Sequence, residues 1–458
     1  MVRNIVVLCL DSVRKDYFDR YAGRIKSASD ISFEAWRSTS SWTVPSHGSM
    51  FTGDLPHKSG IHINNCDIGG VSRNKTLIGD LADYKTICAS ANGFLSPAFT
   101  ADSLFDEFIY TAPSQRFTEG ININNFKRKE SGEDRTEIVE FLRSAITHDH
   151  PLKSFLNGAF MKLNYLPQNL PVPSPFDDGS RVIQNRVKST LKTQEQPVFL
   201  FVNLMEAHGP HQPMYNYDRG IYTGPLSWSS SELTEAARLP KDNVEEPELK
   251  YFREIYAAAI DYLDRKVKKM IEEWTTVLEG ETTFIITSDH GENLGYESED
   301  YRLGHESSLS EGLLHVPMEI INPPAGKSPD SSSLYSHLDF RDLIGGLAQD
   351  HWNISPRDSV PAERVGTDLD QGTESAERMI RTIIGGGKKY IWDSQGASKW
   401  FDIEISKPSM QEPTTENHQV DISEFFDRSI DDVLGSMERR GEELPEESID
   451  RLEDLGYI

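Results

Sequence analysis

Short, largely apolar runs recur along the chain at Ile5–Leu10, Thr86–Ser90, Val198–Leu204, Phe284–Thr287 and Val316–Ile321, each closed off by polar or turn-forming residues. Runs of this length without a clean polar alternation predict strands buried on both faces. Longer stretches with helical spacing lie between them, at Lys75–Asp83, Glu137–Thr147, Glu248–Glu273 and Tyr335–Gln349. Strands alternating with helices predict an α/β fold whose central sheet is mostly parallel and flanked by helices. In such sheets ligands gather at the carboxyl ends of the strands, so the residues that follow each run are where chemistry is expected.

The pattern breaks twice. Residues 148–180 hold an apolar, helix-like piece, Leu152–Leu166, followed by proline-rich chain through Pro167, Pro171, Pro173 and Pro175, which reads as an insertion or lid. A lid over a site and a membrane-touching segment both fit it, although a piece of this length more often packs on its own domain. From Ser355 the character changes to a loop, a strand Arg378–Ile384, the glycine turn Gly385–Gly387, a second strand Lys388–Trp392 and a third around Lys399–Ile403. That spacing predicts a small antiparallel sheet. Residues 1–354 are therefore expected to form the α/β catalytic domain and residues 355–458 an α+β subdomain, closing in an acidic helical stretch, Ile430–Ile458, that packs or caps. A chain of 458 residues exceeds the size at which one core usually stops growing, which agrees with two parts.

Charge narrows the range of partners. Aspartate plus glutamate number 73 against 47 for lysine plus arginine, a net charge of -26, so the surface repels nucleic-acid phosphates and anionic membranes. The acidity serves solubility and suits a high-salt, halophile-like cytoplasm, where screening shortens self-repulsion. Cys9, Cys66 and Cys88 show no CxxC spacing, which argues against a disulfide framework or a zinc knuckle. The run Ile5–Leu10 is too short for a signal-peptide core, and no run approaches the ~18 apolar residues of a membrane span. The expectation is a cytoplasmic protein with no integral membrane segment, its oligomeric state left open.

Two strand ends carry acids. Asp11 closes Val6-Val7-Leu8-Cys9-Leu10, where an aspartate capping the next helix is an equally good account. Asp289 and His290 close Thr283-Phe284-Ile285-Ile286-Thr287-Ser288, and two strand-end carboxylates with an imidazole suit a divalent metal. Between them, Ser41-Trp42-Thr43-Val44-Pro45-Ser46-His47-Gly48 reads as an exposed helix start, a place where free N–H groups and the helix dipole attract anions. A hydroxyl such as Thr43 beside a metal there would be an activated nucleophile. His208, after the strand Val198–Leu204, and His305 are candidates for binding substrate oxygens or protonating a leaving alcohol; His211 and His315 are weaker ones, because a lone histidine is usually a satisfied core or surface residue.

Taken in order, these segments resemble the sulfatase branch of the alkaline-phosphatase superfamily. The resemblance rests on Asn4–Arg14, on Thr43-Val44-Pro45-Ser46-His47 running into Thr52-Gly53-Asp54-Leu55-Pro56-His57-Lys58-Ser59-Gly60, and on Ser288-Asp289-His290-Gly291-Glu292. Asn203–Pro213, Tyr256–Asp264, Arg378–Ile403 and the closing Leu452–Tyr457 extend it over most of the chain. It implies a metal site of Asp11, Thr43, Asp289 and His290, and an alkaline-phosphatase-like sheet with a small C-terminal antiparallel one. The departures bear on the reaction. Classical sulfatases carry cysteine or serine, for oxidation to formylglycine, where Thr43 stands, and arginine where His47 stands. Ser12 replaces a second aspartate, and His290 stands where asparagine is common. Oxidised threonine is a ketone, which closes the formylglycine route. The set is similar instead to phosphodiesterase, phosphonate-ester hydrolase and phosphoethanolamine-transferring relatives.

The expected function is hydrolysis of a phosphate ester, of the phosphodiester type, or of a sulfate ester, through a covalent Thr43 intermediate, with phosphate preferred. His208 and His305 act on the leaving group, while Asn92, His47 and His211 contact a small anionic substrate, carried on a sugar or a lipid. Mixed oxygen and imidazole ligands favour zinc or manganese over calcium or magnesium, with one ion or two. Alternatives are a sulfuric ester hydrolase of unusual route, a transferase to a sugar or lipid acceptor, and an inactive binding protein.

Overall fold

The computed structural model describes residues 3–63, 65–111, 116–117, 119–121, 134–169, 172–195, 197–231, 233, 246–305, 308–366, 378–416 and 422–436. Its central sheet has seven strands, which run edge to edge as Ile31–Ser32, Met318–Ile321, Thr282–Thr287, Asn4–Leu10, Val198–Leu204, Lys85–Ser90 and Glu107–Tyr110. The last five are mutually parallel, and Met318–Ile321 pairs antiparallel to Thr282–Thr287. The run Val316–Ile321 is thus a strand, but one that reverses the sheet's direction. The first strand shows why these runs lack alternation: Val6, Leu8 and Leu10 enter one hydrophobic core while Ile5, Val7 and Cys9 enter another on the opposite face. Helices cover both faces. The helix Glu246–Thr275 sets Ile255, Ala258, Ala259, Leu263, Val267 and Trp274 against the first core, each large side chain contributing about 1.5–3 kcal/mol of burial.

A second sheet of five antiparallel strands, Ser359–Val365, Met379–Gly385, Lys388–Asp393, Ser398–Asp402 and Glu412–Thr414, follows in chain order. It confirms the small C-terminal sheet and corrects one part of the reading, since Ser359–Val365 was expected to be loop and is its edge strand. The sheet is fastened to the larger unit by buried ions: Lys389 Nζ and Arg37 grip the two oxygens of Glu311 at 3.1 and 2.9 Å. Two helices also differ from expectation. Only Leu77–Asp80 of Lys75–Asp83 is helical, capped by the Thr76 hydroxyl. Tyr335 lies in a strand, Leu334–Ser336, paired with Ala35–Arg37, and the helix starts at Phe340.

The insertion forms a helix Pro151–Asn169, and Asn157 ties it to the carbonyls of Phe117 and Ile121. Within the acidic end, Ile430–Ser436 is helical and packs on Val365 and Met379; the stretch beyond Ser436, with the Leu452–Tyr457 motif, lies outside the described residues. Among the described residues no helix is long and apolar enough to cross a membrane.

Candidate active site

Four neighbouring parallel strands end on one edge of the sheet and deliver the site. Asp11 follows Asn4–Leu10, Asn92 follows Lys85–Ser90, Asn203 sits one residue before the end of Val198–Leu204, and Asp289 with His290 follows Thr282–Thr287. Asp11 does not cap a helix, because the next one starts at Lys15 with Arg14 in the cap position. Its Oδ2 instead accepts from the side-chain amides of Asn92 at 2.7 Å and Asn203 at 3.2 Å, and its Oδ1 from the Ser12 hydroxyl at 3.0 Å. The Asn92 amide is fixed in orientation, since its Oδ1 accepts the Phe94 N–H at 2.8 Å. Ser12 takes a left-handed backbone (φ 62°), which turns its N–H onto Asp289 Oδ1 at 3.2 Å. Strain of this kind gathers where surrounding bonds hold it; here the Tyr256 hydroxyl donates to the Ser12 carbonyl at 2.6 Å. The glycine after His290 is obligatory, because a Cβ on Gly291 would stand 2.0 Å from the Gly312 carbonyl oxygen.

Asp11, Asp289 and His290 each offer a ligand atom, all within 4.8 Å of one another and fully buried, the only such group among the described residues. His290 Nδ1 must donate to the Gly291 carbonyl at 2.8 Å, which leaves the Nε2 lone pair facing Asp289 Oδ2 at 3.6 Å and Asp11 Oδ1 at 3.9 Å. Ligand fixation by the far ring nitrogen is the usual arrangement around a bound metal. Asp289 Oδ2 is buried with no hydrogen-bond donor. Burial, then the charge of Asp11, raises the Asp289 carboxyl well above the ordinary range. For Asp11 burial pushes upward too, but the imidazoles of His208, His290 and His47 and the Asn92 amide outweigh it and hold the group low. Without a cation, proton binding is thus favoured at Asp289 and disfavoured at Asp11. Orphaned buried oxygen, crowded like charges and a mixed O/N donor set all fit a divalent ion.

Thr43 opens the helix Thr43–Thr52, whose ten residues are all buried and whose N-terminus has no side-chain cap. Pro45 falls in the first turn, where a missing N–H costs nothing. Thr43 Oγ1 lies 3.4 Å from His290 Nε2 and 3.4 Å from Asn92 Nδ2. The structure thus brings Asp11, Thr43, Asn92, Asp289 and His290 together. His47, one turn later, points its ring at Phe201 and Phe51, with Nε2 3.7 Å from the Cys9 thiol, and burial lowers its pKa to about 4. It packs beneath the nucleophile against the sheet.

The His305 ring lies tilted beside those of His290 and His208, with ring centroids 4.8 and 5.2 Å away, and its Nδ1 is 3.5 Å from Glu292 Oε2. Burial, then the two neighbouring imidazoles, drives the His305 pKa well down, so it stays neutral in the free protein. His208 turns its Nδ1 to the Gly209 carbonyl. His211 lies behind it between Phe252 and Tyr256, its pKa lowered to about 3 by burial. His315 is a structural residue, held by the Glu34 carbonyl and the Ser409 N–H.

Four contributors carried no clear sequence signal. Asn203 supports Asp11; His337 donates to the carbonyls of Ser288 and Asp289 at 3.0 and 3.2 Å. Glu292 faces His305, its carboxyl raised to about 7 by burial. Arg364 reaches in from the second sheet, with Nη1 3.0 Å from Ser41 Oγ. Asn203 was detectable in principle, as an amide interrupting an otherwise apolar strand, and Glu292 as the last residue of Ser288-Asp289-His290-Gly291-Glu292.

The family model described as Sulfatase matches residues 3–350 of the chain. No curated protein matches it in sequence. Its structure is similar to the phosphonate monoester hydrolase of Agrobacterium radiobacter, with TM-score 0.58 and 15% identity over 87% of this chain and 89% of that one. A phosphonate monoester hydrolase from Silicibacter pomeroyi gives TM-score 0.56 and 13% identity over 87% and 89%. A protein solved in complex with its substrate, D-glucosamine-2-N,6-O-disulfate, gives TM-score 0.55 and 13% identity over 88% and 91%. At these identities the likeness is one of fold.

Proposed function

The chain belongs to the sulfatase family, and from that premise we propose that it is a metal-dependent phosphoester hydrolase with Thr43 as nucleophile. One observation carries the proposal: a threonine hydroxyl stands at an uncapped helix N-terminus, within 3.4 Å of both His290 Nε2 and Asn92 Nδ2. Asp11, Asp289 and His290 would hold a divalent ion, zinc or manganese by donor type, whose Lewis acidity would lower the pKa of the Thr43 hydroxyl and offset the ester's charge.

The remaining work falls to the chain. Asn92 Nδ2 and the free N–H groups of the first helical turn bind non-bridging oxygens of the ester, donors that strengthen as charge develops. Thr43 Oγ1 attacks phosphorus in line and its proton passes to His305 or His208; the P–O bond to the alcohol breaks, and the same imidazole hands that proton to the alcohol. Water then attacks the phospho-threonine, the new P–O bond replacing the one to Oγ1, which regains its proton. The substrate is an anionic ester, on a small molecule, sugar or lipid.

The test uses one nitrophenyl group carried as phosphodiester, phosphomonoester and sulfate, with Thr43→Ala as the blank. Sulfated threonine lacks the elimination that a formylglycine hydrate offers, so sulfate should stall after a single event while a phosphoester turns over. Multiple turnover of sulfate, lost in Thr43→Ala, with both phosphates inert, would overturn the reading.

A further inference from the structure

The second sheet reaches the site through one side chain. In the edge strand Ser359–Val365, neighbouring residues point to opposite faces, and its two adjacent charged residues are both buried. Glu363 faces away from the catalytic edge, accepting from His57 N–H and Arg381 Nε. Arg364 faces the catalytic edge. Its Nε donates to the Gly366 carbonyl at 3.1 Å, and its Nη1 to Ser41 Oγ at 3.0 Å and to the His305 carbonyl at 3.2 Å. The same strand holds the approach to the nucleophile a second time, since Glu363 N–H donates to the Thr39 carbonyl at 2.9 Å.

We propose that Arg364 is a positioning residue: its guanidinium sets the segment that presents Thr43 at a fixed distance from the segment that presents His305. This rests on the roles given above to those two residues. Ser41 is two residues before Thr43, and the backbone of His305 is held at its own carbonyl. One nitrogen, Nη1, meets both acceptors while Nε of the same rigid plane is held by the Gly366 carbonyl, whereas an ammonium is a point charge on a flexible stem. Nucleophile and acid come from segments distant in the sequence, and Arg364 is the described side chain that donates to both. The second sheet is then part of the catalytic machinery, because it fixes the geometry of the first.

The experiment compares wild type, Arg364→Lys, Arg364→Gln and Arg364→Ala on a nitrophenyl phosphodiester and on an alkyl phosphodiester, with metal content and near-ultraviolet circular dichroism recorded for each. A shift of about 1 Å between reacting groups costs about 10²-fold. Arg364→Gln should therefore lose about 10²-fold in kcat on the nitrophenyl ester with KM little changed, and more on the alkyl ester, whose leaving group needs the proton. Metal content should not move, Arg364→Lys should recover only a small part, and methylguanidinium should restore part of the Arg364→Ala loss. Equal kcat in wild type and a folded Arg364→Gln overturns the inference, as does a change in KM alone, which would make Arg364 a substrate contact. If Arg364→Gln does not fold, Arg364→Lys decides on the same criteria. A wild type inert on every ester removes the reading of Thr43 and His305, and the inference with it.

Discussion

Replacing Asp289 by asparagine should stabilise the metal-free protein and destabilise the metal-loaded one. In the free fold Asp289 is buried beside Asp11, and burial, then the charge of Asp11, raises its carboxyl well above the ordinary aspartate range. Between the unfolded pKa and the raised folded one, the folded chain holds a proton that the unfolded chain has lost. The sign follows from linkage: for a raised carboxyl, the stabilising share is complete below the unfolded pKa and is lost as pH climbs. The loss grows by about 1.4 kcal/mol per pH unit until the folded pKa is passed. Asparagine keeps the Oδ1 that accepts the Ser12 and His290 N–H groups at 3.2 and 2.9 Å. Its amide can donate to the His290 Nε2 lone pair, which now faces the orphaned Oδ2, and it does not titrate. We expect it to recover about 1–3 kcal/mol at pH 7 and almost nothing near pH 4. Unfolding entropy of roughly 1 kcal/mol/K for this length converts that to about 1–3 °C in Tm. With zinc or manganese at roughly 1,000 times Kd, wild type gains about 4 kcal/mol, most of which the variant forgoes. Scanning calorimetry of both proteins, in chelator and in metal, reads all four values. If Asp289→Asn melts lower than wild type in chelator at pH 7, the carboxylate serves the protein's own groups, and the metal assignment fails.

His305→Ala and His208→Ala should keep their metal and lose about 10²–10⁴-fold in turnover of alkyl esters, with a smaller loss on nitrophenyl esters; loss of metal from either, by elemental analysis, would make that histidine a ligand. Lys389, fully buried against Glu311, has its pKa lowered by burial from 10.5 to about 8, so the unfolded chain binds more protons between those values and stability should rise with pH there. Relative to Lys389→Met, wild type should gain roughly 1–3 kcal/mol across that window in urea unfolding; a difference that is flat or falls would refute the buried-charge account.

How far the site was legible depended on whether a residue's meaning was local. Asp11, Asn92, Asp289 and His290 each end a buried strand, and a polar group at that place announces itself, because the sheet edge is where ligands sit. Thr43 was visible through its helix start. The histidines near the site were legible only as polar groups near strand ends, which ranked His208 and His305 above His211; the structure sets His305 beside His290 and His211 behind His208. His337 had no local signal at all: its role is to hold two carbonyls that arrive from a strand nearly fifty residues earlier.

The strand Ser359–Val365 failed for a more instructive reason. Pro361 suits an edge strand, which this is, but also suits a loop, and the adjacent charges of Glu363 and Arg364 break the apolar run that marks a buried strand. Both faces are nevertheless buried, because each charge meets a partner from another part of the chain: His57 and Arg381 on one face, Ser41 and the His305 carbonyl on the other. Burying two charges is costly unless bonded partners are already in place. A sequence shows the charges and not the partners, so it reads as solvent-facing loop the one strand that joins the second sheet to the nucleophile. Adjacent charges in a short run with strand-forming neighbours are thus as consistent with a strand clamped between two surfaces as with an exposed turn, and the difference lies in contacts that span more than three hundred residues.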